Sequence, residues 1–323
     1  DDPMSVRNLD PPRGSVQPAT TGDRAGAAVL PGQGSLGRHR QRSTKRRWWR
    51  LPPLLLVCFA VLAVFTICGL FADVLAPYDP VANNLTARLK PPAALPGGLP
   101  QHPLGTDALG RDMLSRLIHG ARISLAIGFA GTIVGLASGV LAGVVAGFVR
   151  GPVDNVMMFL VDVMLSLPFL VIALTAVAVF GNSVAVLVVL AGLASWASYT
   201  RLSRGQVLTV RELPYVVAAR ALGAAPWHIA TRHVLPNIVA PLVVLTTVEL
   251  TAIILLESSL SFLGLGVKPP TPAWGSMLGD GRTYLHTAWW VGVLPGVAIM
   301  LVTTSVSLIG DWLRDVLDPT LRS

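Results

Sequence analysis

"VVAARALGAAPWHIATRHVLPN", residues 216–237, separates two long apolar stretches of a 323-residue chain. It is basic, through Arg220, Arg232, His228 and His233, and it is punctuated by Gly223, Pro226 and Pro236. From Glu212 to Leu222 the residues suit a helix, with Pro214 near its start, where a missing N–H is no loss. Gly223 is a fitting C-terminal stop. Pro226 suits the first turn of a second helix running toward Val234, and Pro236 is expected to break the chain before the next apolar stretch. The reading is two short helices around a bend. On the first, Ala218, Ala219 and Leu222 share one face, small enough to seat closely in a groove. A generic amphipathic surface helix fits the same residues.

The rest of the chain is written for lipid. It is 52% hydrophobic and only 13% charged, with a mean hydropathy of +0.62, whereas soluble domains carry about 25% charged residues. Cys58 and Cys68 fall in one apolar run. On one helix they stand roughly 15 Å apart, too far for a disulfide, so both read as small buried hydrophobes. The net charge of +8 is concentrated at one end: ten of the first fifty residues are Lys or Arg, six of them from Arg40 to Arg50. A basic cluster touching a hydrophobic span orients that span and suits anionic lipid head groups, which argues against nucleic acid. Residues 5–37, rich in Gly, Pro, Ser, Thr and Ala, cannot bury enough apolar surface to order themselves. The stretch is not expected to be a cleaved signal peptide, because the first apolar run begins near residue 51 and is too long for one.

A crossing helix needs about 20 apolar residues. Six candidates follow: 51–72, 123–148, 156–180, 184–198, 238–262 and 289–309. The basic tail places the N-terminus inside, and six spans return the C-terminus to the same side. The segment 199–236 then also faces the cytoplasm, carrying Arg201, Arg204, Arg211, Arg220 and Arg232 against the single acid Glu212. The nearly charge-balanced segment 73–122 suits an external loop. The organisation expected is a disordered basic tail (1–50), a first helix and external loop (51–122), a five-helix core (123–310) holding the loop 199–236, and a cytoplasmic end (311–323).

Gly131, Gly135, Gly139, Gly143 and Gly147 recur every fourth residue in the second span. Small residues at this spacing let helix backbones approach in a membrane. The stripe drifts by roughly 40° per step, which suits crossing helices better than one long seam. Packing within one subunit is expected ahead of a subunit interface. Asp162 in the third span, and Glu249 and Glu257 in the fifth, would each cost about 2.5–3.5 kcal/mol or more facing lipid, so each needs a cavity or a partner. They are the candidates for a translocation path, with a wet lining favoured for Glu249. The plainer readings are a hydrogen-bonded structural carboxylate for Asp162 and an interfacial position for Glu257, ahead of a direct contact with substrate. No phosphate-binding G-x-x-x-x-G-K-[ST] loop, HExxH, CxxC or G-x-S-x-G occurs, so the chain is expected neither to hydrolyse ATP itself nor to be a self-contained enzyme. The six histidines form no trusted metal pair.

The 216–237 stretch resembles the EAA loop of ABC-importer permeases: EAA, three residues, Gly, nine residues, Ile, one residue, Leu-Pro. The frame falls on Val217, Ala218, Ala219, Gly223, His233, Leu235 and Pro236, with Val217 in place of the glutamate and His233 in place of the isoleucine. "HPLGTDALGRDMLSRLIHGARISL" (102–125), "SFLGLGVKPPTPAWGSML" (261–278) and "GDWLRDVLDPTLR" (310–322) are similar to segments of the C-type permease of dipeptide/oligopeptide/nickel-class importers. Together the likeness covers about residues 50–322.

The resemblance implies an all-α membrane protein with the six transmembrane helices of a type I ABC-importer permease. It would sit in the bacterial cytoplasmic (inner) membrane and work by alternating access. The implied partners are a B-type permease, two ATPase subunits, an extracytoplasmic binding protein, membrane lipid and a peptide substrate. ATP and Mg would be used by the ATPase subunits, with no cofactor in this chain. The loop would be a coupling helix seated on an ATPase through Val217, Ala218, Ala219, Arg220, Leu222, Gly223, Ala224, Pro226, His233, Leu235 and Pro236. Asp107, Arg111, Asp112 and Trp274 would dock the binding protein or hold the external loops. A nickel, metal-chelate or haem importer shares these motifs, and a membrane scaffold or receptor without a transport cycle is the rival from another class.

Overall fold

The computed structural model describes residues 52–317; the tail 1–50 with its Arg40–Arg50 cluster, and the chain end from residue 318, lie outside the described residues. Those described are helical or irregular, with one isolated bridge between Thr106 and Asp112. In chain order the helices are α1 Pro53–Leu70, the single turn α2 Ala72–Leu75, α3 Met113–Val149, α4 Pro152–Ser166, α5 Phe169–Phe180, α6 Val184–Val210, α7 Pro214–Ala221, α8 Pro226–Ile229, α9 Leu235–Phe262, α10 Trp274–Gly281 and α11 Trp290–Leu317.

Among the described residues, five helices are long and apolar enough to cross a membrane: α1, α3, α6, the run Pro226–Phe262 and α11. The third predicted span is not one rod. It is α4 and α5, bent by 91° at Leu167–Pro168, where a residue before proline is pushed out of helical geometry. The bent pair nevertheless completes a sixth passage. Gly131 packs on Ala191 and Gly147 on Val207, so α3 and α6 run parallel, and α4–α5 must carry the chain back from one end of the bundle to the other.

Three other boundaries move. The second span starts at Met113, ten residues before the expected 123, because Asp112 caps it: its carboxylate accepts from the Ser115 N–H and hydroxyl, each at 2.8 Å. The fourth extends to Val210, so residues 199–210 are helix rather than loop. The fifth does not break at Pro236. A π turn, Ala230–Val234, joins α8 to α9, and the run from Pro226 to Phe262 is continuous. The wider turn re-spaces the hydrogen-bond ladder just ahead of the residue that lacks a donor. The last span likewise runs on through 311–317.

The bundle is organised on α3 and α6, its most extensive helix pair. A Cβ added at Gly135 would stand 2.0 Å from Ser195 Oγ, at Gly139 2.7 Å from the Trp196 carbonyl, and at Gly143 2.5 Å from the Thr200 carbonyl. The stripe therefore serves packing within the subunit. It also forms a long seam rather than a short crossing, since all five glycines from Gly131 to Gly147 meet α6. Ala191, Ser195, Tyr199, Ser203 and Val207 recur on α6 at the same four-residue step, so the two stripes drift together and stay in contact over about 24 Å. Lipid supplies no hydrophobic drive for this pairing, so backbone approach has to supply it.

α9 and α11 pack beside this pair, with Gly310 against Thr247, and α1 follows with Gly69 against the Arg122 backbone. Cys58 is buried and Cys68 half-buried, both as free thiols.

Replacing Gly143 by leucine drives a side chain into the backbone of α6, which cannot step aside. The expected cost is about 3 kcal/mol or more, read as a lower Tm of the purified protein in detergent. Gly205→Ala, on α6 with nothing within 4 Å of the new methyl, should hold or raise Tm by up to about 1 kcal/mol of stability.

Candidate functional site

At the end of the bundle where α6 finishes, the chain builds the expected bend. Gly223 has φ +83°. Its N–H donates to the Arg220 carbonyl at 3.0 Å, and the Ala224 N–H donates to the Ala219 carbonyl at 3.1 Å. This pair of bonds is a Schellman stop, and it explains the Ala219–Gly223 spacing: the carbonyl of one and the left-handed backbone of the other close the same turn. Pro226 then starts α8.

The bend is pinned from beneath and bare from above. Val216, Ile229 and Val234 are fully or almost fully buried, in one apolar cluster with Tyr199, Val207 and Ile238. Arg211 donates to the Gly147 carbonyl at 2.8 Å, and Arg150 pairs with Glu212 at 3.1 Å, so the ends of α3 and α6 are tied where α7 departs. Outward lie Val217, Ala218, Arg220, Leu222, Gly223 and Pro226, all exposed, with Ala219 and Ala224 half-buried. Leu222 is 89% and Trp227 77% exposed.

Val217, where the resembling motif has its acid, points to solvent and makes no polar contact. His233 is half-buried between Tyr215 and His228, with ring centroids at 5.8 and 6.1 Å. Asn237 donates to the Tyr215 hydroxyl at 3.0 Å and to the His233 carbonyl at 2.6 Å. Leu235 and Pro236 are exposed at the start of α9.

The three intramembrane carboxylates separate. Asp162 on α4 is paired with Arg201 on α6 at 2.6 Å, both more than half exposed. It is therefore a hydrogen-bonded carboxylate in an open ion pair. Beside the pair, Arg201, Ser198, Leu202, Gly205, Gln206 and others line a groove of about 480 Å³. Glu249 of α9 is half-buried beside the Ser198 hydroxyl. Glu257 is enclosed by protein. It is 3% exposed, with one oxygen accepting from Ser261 at 2.7 Å and the other unpartnered beside the orphaned Ser258 hydroxyl.

At the opposite end of the bundle Asp107 and Arg111 form an ion pair at 2.6 Å, and Asp107 also accepts from the Leu109 and Arg111 N–H groups. His102 Nδ1 lies 2.9 Å from Asp112. Trp274 is wholly buried, its indole donating to the Leu117 carbonyl at 3.0 Å and its ring edge-on to Phe65. These four residues, Asp107, Arg111, Asp112 and Trp274, hold local structure. Sequence reasoning passed over Arg204, which grips Asp154 of α4 through two hydrogen bonds, and over Arg116, Tyr215 and Trp227. An arginine inside an apolar run is a signal in itself, because it demands a partner.

Gly223→Val tests the bend alone. A left-handed backbone costs a branched residue about 1–2 kcal/mol, so amide exchange across 218–226 should quicken roughly five- to thirtyfold while α3 and α6 stay protected.

The chain can now be set beside known proteins. Residues 139–323 match the family described as binding-protein-dependent transport system inner membrane component, and residues 46–92 match the N-terminal TM domain of oligopeptide transport permease C. The chain is 45% identical to the di/tripeptide transport system permease protein DppC of Pseudomonas aeruginosa over 265 residues, 82% of this chain and 87% of that one. It is 43% identical to the dipeptide transport system permease protein DppC of Escherichia coli, with the same coverage. It is 38% identical to the glutathione transport system permease protein GsiD of Pectobacterium atrosepticum, covering 87% and 93% of the two chains. Among solved structures, a chain of the MetNI methionine ABC transporter in its inward-facing conformations shares the fold. There the TM-score is 0.52 at 19% identity, over 64% of this chain and 98% of that one. With its spans, bend and family matches together, this multi-pass chain belongs to the binding-protein-dependent transport system inner membrane components.

Proposed function

We propose that this chain is the C-type permease of an ATP-driven importer of di- and oligopeptides. It would pair with a similar B-type permease, above two ATPase subunits and below an extracytoplasmic binding protein. Relatives named for dipeptides, tripeptides and glutathione support a peptide cargo. The basic tail and the basic α6–α8 region support cytoplasmic termini and a cytoplasmic bend.

The observation that carries the reading is the bend itself. An exposed apolar crest of Val217, Leu222 and Trp227, edged by Arg220, stands on a rigid Schellman turn whose underside is fused to α3, α6 and α9. A crest seated in an ATPase groove would pass motion into those helices, because little within the turn can absorb it. The acid of the resembling motif is missing at Val217, so the contact would be apolar with a basic margin, through Arg220, Arg232 and His228.

The substrate path would run along the open, largely apolar groove between α4, α6 and α9, on which Arg201, Ser198 and Gln206 place polar groups. A Asp162–Arg201 pair facing acyl chains would be costly, whereas facing a wet path it is cheap. Glu249 and Ser198 extend this polar line. Glu257, enclosed among helices, belongs to packing rather than to the path.

The test is Leu222→Asp in the assembled complex. The side chain is almost fully exposed, so folding should hold. ATPase subunits should co-purify roughly thirtyfold less tightly, the loss of an anchor worth about 2 kcal/mol, and peptide uptake into proteoliposomes should fall in step. Normal retention of the ATPases with normal uptake would overturn the coupling role.

A further inference from the structure

Arg116, on the first turn of α3, is 4% exposed, yet its Nε makes no hydrogen bond. Asp107 Oδ2 lies 3.5 Å from it, and that oxygen already receives Arg111 Nε at 2.6 Å. The other oxygen of Asp107 takes two backbone N–H groups. The second contact of Arg116, from Nη1 to the Pro80 carbonyl, is long at 3.4 Å. A buried guanidinium with five donors is thus left with marginal acceptors, a costly state unless something completes it.

Two cavities meet at this residue. One of about 380 Å³ lies toward α11, the other of about 500 Å³ toward the 261–271 segment. Arg111, Arg116, Asp280 and Arg282 line both. Arg282 is held over the Phe262 ring at 5.8 Å. The Asp280 carboxylate accepts no hydrogen bond from any described residue and feels Arg116 and Arg111 only at a distance. Burial raises its carboxyl above the usual range, and the two arginines pull it back down.

We infer that these joined cavities form a carboxylate-receiving site, with Arg116 at its floor, Arg111 and Arg282 at its mouth, and Asp280 as the counter-charge. Three guanidinium groups against Asp107 and Asp280 leave one positive charge unmatched, which suits a monoanion. A phosphate dianion would meet two carboxylates. The planar fork of an arginine matches a carboxylate in two bonds, and Asp280 leaves room for an ammonium beside it. The carboxylate comes either from the C-terminus of a small peptide or from an acidic side chain of the binding protein. The site rests on the function proposed above in taking this end of the bundle as extracytoplasmic and in taking a peptide or the binding protein as the source of the carboxylate.

The experiment uses this chain with its partner permease in lipid nanodiscs and reads binding directly, without ATP hydrolysis, so failure of the coupling proposal leaves it intact. The probes are L-alanyl-L-alanine, its C-terminal amide and the purified binding protein. If the peptide is the source, alanyl-alanine binds without the binding protein and the amide binds at least about tenfold more weakly. If the binding protein is the source, the free peptide gives no signal, and the protein's Kd responds to the variants instead. In either case Arg116→Gln should weaken the responding probe by about tenfold or more. Arg282→Gln, exposed and free to change without unfolding, should weaken it roughly two- to fivefold. Unchanged affinities for all three probes in Arg282→Gln and in folded Arg116→Gln would overturn the site.

Discussion

Contact between the backbones of α3 and α6 is the constraint on which the other placements depend. Five glycines on one helix, facing Ala191, Ser195, Tyr199, Ser203 and Val207 on the other, bring the two rods closer than a side chain on α3 would allow. Their parallel run forces the chain to travel back between them. That return is the bent α4–α5 pair, and its first half is fastened to α6 by Arg204 and Arg201. The same seam sets where α6 ends, and therefore where α7 can leave. It also sets the height of Asp112 and Arg116 at the far end of α3. Both polar ends of the molecule thus take their positions from a contact that has almost no side chains in it.

The charges of α4 are handled in pairs. Asp154 with Arg204 and Asp162 with Arg201 each join α4 to α6, and each removes a cost that a single ion would impose. Other buried groups among the described residues lack such a match, Arg211 Nε where α6 finishes and one Glu257 oxygen on α9, and a further set lies at the far end of the bundle. An under-satisfied arginine there, beside a carboxylate with no partner, contrasts with the paired charges of α4.

Much of this was legible in the residues. Apolar length located the passages, the four-residue glycine step announced close packing, and Ala219 with Gly223 foretold the stop that their carbonyl and positive φ create. What escaped had physical causes. Hydropathy cannot see a 91° bend, because Leu167–Pro168 leaves the apolar run unbroken. Nor can it find the true start of α3, which Asp112 fixes ten residues before the lipid-like run. Pro236 read as a breaker because proline removes a donor, but a π turn one step earlier accommodates that loss. The drift of a single stripe argued against a long seam until the matching stripe on α6 was seen. At the sites, exposed side chains such as Trp227 and Tyr215 carried no periodic signal, since what distinguishes them is what they fail to bury.

The π turn at Ala230–Val234 has one further consequence. A π turn holds about one residue more per revolution than an α turn, so it takes up an extra residue with little change in the angular phase of everything above it. One residue fewer would close the ladder in α geometry and leave the remaining 28-residue helix facing nearly the same way relative to its foot. Glu249 would stay beside Ser198, and Thr247 beside Gly310. A deletion anywhere in the α9 helix itself would instead turn all that lies beyond it by about 100°, so the foot of the helix tolerates a change of length that its middle does not.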